Sequence, residues 1–293
     1  MKNWKYIFGL LFLVLSLVII ALFQLPDKNL HIIACNVGQG DAILIIYKNT
    51  QILTDGGPSK SVLTCLGKYM PFWDRNIELV ISTHPDADHS TGLIDVIKNY
   101  KVDQILITAV DPGTSVYEVL KKEVGGRSIP VIDPVEGMSL GVGLIYLDIL
   151  SPSENLKSQI TNYKQGETNI FSVIYLLTYG QFSAFMPGDA PPEVLDGLVS
   201  KQAVRPVNYI KIPHHGSVNG LTENLLKVLV PKIAVISVGK NMWGFPKPEI
   251  LSMLKVYGVK IMRTDTEGDV EIITDGIKYW TKKNGSLFSF LGI

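Results

Sequence analysis

"VISTHPDADHSTGL", residues 80–93, follows a run of apolar, β-branched residues with His84, Asp86, Asp88 and His89 in six consecutive positions. The stretch reads as a buried strand, a tight loop and a helix whose first turn begins near Ser90. A lone histidine or aspartate in such a loop is ordinarily solvated, and Asp88 by itself reads as a helix cap. Two imidazoles and two carboxylates from one turn, held by a rigid strand, are instead the donor set that a divalent cation requires.

Two later segments carry the same signature. "FMPGDA" sets Asp189 after Gly188 at a strand end, and "YIKIPHHGS" sets His214 and His215 at another, ahead of Gly216 and Ser217. Strand ends along one sheet edge converge on one site, and convergence here gathers at least six donors. That exceeds one tetrahedral zinc and suits two ions.

The pattern around these segments is regular. "HIIACNV", "AILIIY" and "QILTD" predict an opening meander, followed by a helix over 61–69, a strand over 78–83, a helix over 91–100, a strand over 104–108 and a helix over 115–124. The second half restarts with strands over 144–150, 171–179 and 181–187, then a helix over 191–200 and a strand over 207–213. A helix over 221–230, a strand over 233–238, a helix over 247–257 and strands near 259–263, 269–274 and 277–281 complete it. Two mixed sheets stacked face to face, with helices outside, bury all of these apolar faces. With no low-complexity tract or solenoid repeat, residues 30–293 read as one domain.

The 293 residues are 46% hydrophobic and 18% charged, with the apolar excess at the N-terminus. Tyr6 to Pro26 is a run of 21 residues without charge. A helix of that length rises about 1.5 Å per residue and matches a hydrocarbon core roughly 30 Å thick. Residues 1–29 are therefore expected to be one N-terminal transmembrane anchor, its helix over about 6–26. Lys2 and Lys5 before it place the N-terminus in the cytoplasm and the domain after Asp27 outside a single-pass plasma-membrane anchor. A cleaved secretory signal is the rival, against which stand the length of the run and the lack of a small-x-small cleavage site. No second apolar span follows. Cys35 and Cys65 allow one bridge or two buried thiols, the thiols being the expectation.

The whole chain has formal charge +0; without its first 29 residues, 27 basic residues less three lysines and 27 acidic less one aspartate leave 24 against 26, a net −2. That argues against tight binding to nucleic acid by charge alone. It leaves open a nucleic-acid substrate held through metals.

The order of "NVGQGDAILI", "ILTDGG", "STHPDADHSTGL", "ETNIFSVIYLL", "MPGDA", "IKIPHHGS", "ISVG" and "RTDTEGDVEI" resembles the metallo-β-lactamase fold superfamily, and more narrowly the extracytoplasmic hydrolase domain of ComEC-type competence proteins. The resemblance spans about residues 30–275 and implies an α/β, four-layer αββα sandwich. It implies that His84 and Asp86 hold a first metal, Asp88 and His89 a second, that Asp189 bridges them, and that one of His214 and His215 completes the second site. The superfamily's usual pattern has histidine where Asp86 stands and another ahead of the bridging aspartate. This chain has no histidine between His89 and His214, so Asn169 or water substitutes and the first site is oxygen-rich and weak. More carboxylate and less imidazole shift preference from zinc toward manganese or magnesium, with zinc still open.

The position of Asp55 in the family implies a carboxylate that orients a ligand histidine, whereas by itself it reads as a turn residue. Asp41 either caps its turn or approaches the site; Asn169, Ser172 and Ser217 are candidates at its edge. Where the family commonly has histidine, this chain has Phe245, which leaves the proton donor to the leaving group undefined. Lys240 and Lys247 read as solvated surface lysines or as contacts to an anion. The expected activity is hydrolysis of a phosphodiester, single-stranded DNA among the substrates, by water activated between two divalent ions about 3.5–4 Å apart. Asp88 and His215 are the catalytic candidates. The alternatives are hydrolysis of another ester, a lactone or a cell-wall phosphodiester, and a non-catalytic binding module with a degenerate metal site.

Overall fold

A computed structural model describes residues 4–23, 25–160 and 167–282. Helix α1 (Trp4–Phe23) precedes the meander β1 (Leu30–Ala34), β2 (Ile43–Tyr47) and β3 (Thr50–Thr54), which pair antiparallel. Next come α2 (Ser61–Tyr69), β4 (Asn76–Ile77), β5 (Leu79–Ser82), α3 (Ala87–Asn99), β6 (Lys101–Val102), β7 (Ile105–Ile107), α4 (Ser115–Gly126) and β8 (Val131–Ile132). The second half runs β9 (Ser139–Val142), β10 (Ile145–Ser151), α5 (Glu154–Lys157), β11 (Ile174–Tyr179), β12 (Phe182–Met186), α6 (Pro192–Ser200), β13 (Tyr209–Lys211) and α7 (Glu223–Leu229). It closes with β14 (Ile233–Ile236), α8 (Pro248–Val256), β15 (Lys260–Arg263), α9 (Thr264–Glu267), β16 (Val270–Thr274) and β17 (Tyr279–Lys282).

Two mixed sheets result, ordered β17-β16-β1-β2-β3-β5-β7-β8 and β15-β14-β13-β12-β11-β10-β9, beside a small β4-β6 pair. Strand side chains alternate between faces, so each sheet feeds two apolar layers. Ile32, Ile45 and Ile81 from the first sheet pack with Leu147, Tyr175 and Val235 from the second. On the outer faces, Ile33 and Leu44 pack with Leu66 and Val96 of α2 and α3, while Leu176 and Ile210 pack with Leu195 and Leu225 of α6 and α7. The expected helix–sheet–sheet–helix layering is therefore present. β16 and β17 return to the first sheet, β16 pairing with β1 across the whole domain. The strands near 269–274 and 277–281 are expected from the sequence but their return to β1 is not, and the two-residue strands β4, β6 and β8 are too short to carry a period.

Three expectations need correction. Helix α3 begins at Ala87 rather than near Ser90, because the backbone amides of His89 and Ser90 both donate to the Asp86 carbonyl, at 3.0 and 2.9 Å. Asp88 and His89 thus stand on the first helical turn and not in a loop. Cys35 and Cys65 are not free thiols: their Cα atoms lie 5.9 Å apart and the sulfurs are bonded, closing a separation of 30 residues. By chain entropy such a bridge is worth about 3–4 kcal/mol, and it suits an oxidising compartment.

The third concerns the span expected over residues 6–26: among the described residues no helix is long and apolar enough to cross a membrane. Helix α1 as described ends at Phe23, with Phe8, Leu10 and Phe12 among its exposed side chains. Lys2 and Gln24 of the expected anchor, and residues 283–293 of the expected domain, lie outside the described residues.

Candidate metal centre

One end of the two sheets collects the donors. His84 follows β5, Asp88 and His89 sit in the first turn of α3, Asp189 follows β12, and His215 lies in the turn Pro213–Gly216 after β13. Asp41 comes from the β1–β2 loop and Asp55 directly follows β3. A backbone bond from Val173 to Thr83 O, 2.8 Å, ties the two sheets together at this end. The Asp41 loop is seated on α3 by a bond from its amide to Asp88 O, 3.2 Å, an approach that only a residue without Cβ permits at Gly40.

Each imidazole is oriented by its Nδ1. His89 Nδ1 donates to Asp55 Oδ2 at 2.8 Å, and His215 Nδ1 donates to the Ser237 carbonyl at 2.8 Å. Thr83 Oγ1 gives its proton to Asp55 Oδ2 (2.7 Å) and so accepts from His84 Nδ1 (2.9 Å). All three rings therefore turn Nε2 away from these partners and into the cluster, the arrangement seen when imidazole is a ligand. His89 Nε2 is buried, 3.3 Å from Asp189 Oδ2 and without a hydrogen bond; His215 Nε2 lies 3.3 Å from both Asp88 Oδ2 and Asp189 Oδ2.

Among the described residues, four triads have ligand atoms within 4.8 Å of one another: His84–His89–Asp189, Asp88–His89–His215, Asp41–Asp189–His215 and Asp41–Asp55–His89. The third is filled by a side chain. Lys211, at the end of β13 and 2% exposed, donates to Asp189 Oδ1 and the Gly188 carbonyl, at 2.8 and 2.9 Å, and pairs with Asp41 Oδ2. In the fourth, Asp55 is occupied by Thr83 and the far side of His89. The first two remain, sharing His89, with Asp189 adjoining both.

The electrostatics show what this cluster lacks. Burial pushes His84 down to about 3, helped by its neighbour His89. Burial opposes charge on His89 as well, but Asp189, Asp55 and Asp88 outweigh it and hold that imidazole well above its ordinary value. His215 is raised in the same way, against burial, by Asp189 and Asp41. Asp189 is held far below the carboxylate range, since Lys211, His215 and His89 overcome its burial; His89 and His215 do the same for Asp88. The cluster thus sets four carboxylates, Asp41, Asp55, Asp88 and Asp189, against one ammonium, Lys211, which pairs with Asp41 and Asp189, and this excess is what raises His89 and His215. An orphaned ring nitrogen and a deficit of positive charge fit divalent cations.

The remaining sequence candidates separate. His215 joins the cluster, whereas His214 belongs to none of the triads; its amide donates to Asp189 Oδ1 (3.0 Å) and its ring packs against Phe245 (5.9 Å). Asp86 stands at the rim, Oδ1 bonded to the Thr168 hydroxyl, Oδ2 3.8 Å from His84 Nε2, and its carboxyl is pushed up by burial. Asn169 Oδ1 and Ser172 Oγ are buried without a partner among the described residues, while Ser217 Oγ accepts from the Asn219 amide at 3.1 Å and closes its own turn. Lys211 is the residue that the sequence reading missed, although a lone charge inside "VNYIKIP" is a readable sign of a buried counter-ion. Above the cluster opens a cavity of about 1090 Å³, lined by Asp88 and His215 on one side and by Lys240, Met242, Trp243 and Phe245 on the other.

No family model matches the chain. It is 25% identical over 270 residues to Recombination protein 2 of Haemophilus influenzae, a match covering 90% of this chain and 31% of that protein. It is 22% identical over 255 residues to ComE operon protein 3 of Bacillus subtilis, covering 80% of this chain and 32% of the other. The chain thus spans about a third of the length of the curated relatives it matches. Among solved structures, the metallo-β-lactamase fold protein YhfI of Bacillus subtilis superposes with a TM-score of 0.55 at 12% identity, over 83% of this chain and 99% of that one. The chain has the metallo-β-lactamase fold and is distantly homologous to competence proteins over most of its length.

Proposed function

From a chain of that fold and kinship, we propose a metal-dependent phosphodiesterase with nuclease activity, carried on an extracytoplasmic domain. The observation that carries the reading is the convergence of His84, His89, Asp88, Asp189 and His215 below an open cavity, with the buried His89 Nε2 unpartnered. Asp88, His89 and His215 would hold one divalent cation and His84 with Asp189, which adjoins both triads, the other, manganese or zinc suiting this mixed set and magnesium the carboxylates alone. When bound, such ions bring water into reach of deprotonation near neutral pH and offset charge on an attacked phosphorus.

The chain's own groups divide the remaining work. Asp88, whose side chain is 37% exposed and lines the cavity, orients the attacking water and accepts its proton. Asp189, fixed on one oxygen by Lys211, presents the other to the cluster. His214 lines the cavity but lies outside the triads, which places it to hand a proton to the leaving oxygen in the role left open by Phe245. The name of Recombination protein 2, which speaks of recombination, supports a nucleic-acid substrate. The outside location is supported by the Cys35–Cys65 bridge.

The test is turnover by the full chain in detergent micelles with manganese or zinc, on a single-stranded oligonucleotide and on bis-p-nitrophenyl phosphate. Metal-dependent cleavage of both, lost in Asp88→Ala, is the expected result. Hydrolysis confined to carboxylic esters or lactones would replace the phosphodiesterase reading, and absence of both bound metal and turnover would leave a binding module.

A further inference from the structure

The cavity wall opposite the cluster comes from the loop between β14 and α8, where Lys240, Asn241, Met242, Trp243 and Phe245 line it. Asn241 organises this loop: Nδ2 donates to the carbonyls of Gly239 and Phe245, at 2.9 and 3.0 Å, and Oδ1 accepts from the Phe245 amide at 2.9 Å. The Lys247 amide donates to Gly216 O at 2.9 Å, and Gly216 has φ +81 with Pro246 packed where a Cβ would stand. The wall is thereby tied to the turn that carries His215, so its rings hold a fixed position relative to the cluster.

On this wall the Trp243 and Phe245 rings lie nearly parallel, 20° apart with centroids separated by 6.1 Å, and His214 meets Phe245 edge-on at 5.9 Å. Trp243 is 56% exposed and Met242 89%. Lys247 Nζ donates to the Trp243 carbonyl at 2.6 Å and lies over the Phe245 ring, and Lys240 lines the same cavity. The exposed face of Trp243, backed by the half-buried Phe245 ring and beside two ammonium groups, complements a polyanion that carries flat apolar groups of its own.

We propose that Trp243 and Phe245 form a stacking platform for unpaired nucleobases, which delivers the neighbouring phosphodiester of a single-stranded nucleic acid to Asp88 and His215. The inference rests on the phosphodiesterase reading and assigns its substrate class. Base faces are available only outside a duplex, so a platform of this kind selects single strands without reading their sequence. Stacking also supplies affinity that a domain of net charge −2 does not draw from long-range attraction. An anionic bilayer is the competing occupant of exposed tryptophan and methionine.

The test measures binding rather than turnover. Fluorescein-labelled oligothymidylate of about 15 nucleotides is titrated with the full chain in detergent micelles and EDTA, and anisotropy is read for wild type, Trp243→Ala and Trp243→Phe. An abasic oligomer of the same length and a duplex are the comparison ligands, and anionic phosphatidylglycerol vesicles are the alternative. Stacking of about 1–3 kcal/mol per base predicts roughly 10-fold weaker binding in Trp243→Ala, recovery to within about threefold in Trp243→Phe, and no response of the abasic oligomer. No binding by wild type, equal binding of thymidylate and abasic oligomers, or a Trp243→Ala effect on vesicles alone would overturn the platform. Trp243-dependent binding without hydrolysis of any phosphodiester would sink the enzyme reading and leave the platform standing; hydrolysis indifferent to Trp243 and to bases would do the reverse.

Discussion

The floor and the far wall of the cavity are built on opposite principles. The floor is charged and buried: Asp55, His84, His89, Asp189, Lys211 and His215 are all at most 2% exposed, and each imidazole is aimed by a second contact. The wall is open, with Met242, Trp243 and Phe245 beside Lys240, and its order is supplied by the backbone bonds of Asn241. A buried ionic cluster tolerates little change, because removing one partner strands the others in a low-dielectric interior. An exposed ring contributes only what its ligand covers. On the reading proposed above, chemistry belongs to the floor and choice of substrate to the wall, and substitutions should separate the two.

The largest effect is expected from Asp189→Ala, which should lower turnover of bis-p-nitrophenyl phosphate by roughly three orders of magnitude, about 4 kcal/mol, and reduce bound metal measured by mass spectrometry. Retention of full metal content and rate would place the reaction elsewhere. Lys211→Met strands the Asp41 and Asp189 carboxylates and should cost about 3–5 kcal/mol in urea unfolding of the metal-free protein, less when manganese saturates it. An equal loss in both conditions would mean that Lys211 and the cations do not share those carboxylates.

Asp55→Asn presents an amide to His89 Nδ1, which shifts the ring proton to Nε2 and should weaken metal affinity by about 10- to 100-fold with the fold intact. Calorimetric titration decides it. His214→Gly suits the backbone there, with φ +50, and should slow an oligonucleotide with its poor leaving group by about 10- to 100-fold while changing the p-nitrophenyl ester less than about threefold. Equal slowing of both would remove the proton-donor role.

The smallest effect calibrates the comparison from a site away from the cluster. His31 on β1 bonds Glu271 on β16 at 2.7 Å and Asp27 at 3.0 Å, and these partners overcome burial to raise its pKa to about 9. A raised value means that its stabilisation is complete below about pH 6.5, where the unfolded chain is protonated too, and is lost as pH rises through about 9. Unfolding free energy should fall by about 1–2 kcal/mol across that window, allowing for the half-exposed Asp27, and Glu271→Gln should flatten the slope. An unchanged slope in that variant would assign the pH dependence to another group.

Much of this architecture is legible in residue order. The helix expected over 61–69 is α2 to the residue, and the strand expected over 78–83 contains β5, because alternation and 3.6-residue periodicity in long apolar runs reflect burial directly. The crowding of His84, Asp86, Asp88 and His89 in one turn, and the lone Asp189 after "MPG", are equally local, so their approach to a common edge is readable from the strand ends.

Contacts between distant segments are not local, and there the sequence alone is silent. Which of the twin histidines enters the cluster depends on two consecutive left-handed residues, φ +50 at His214 and +53 at His215, held by packing around Gly216 and by the Ser237 carbonyl. Lys211 is stable inside a strand only because Asp41 and Asp189 reach it from loops far away in the chain, and Cys35 finds Cys65 only when α2 lies on β1. Composition and periodicity determined the layers and the donor types; the direction of each donor, its counter-charge and its covalent partner were decided by tertiary packing, since those are properties of pairs that the chain brings together only by folding.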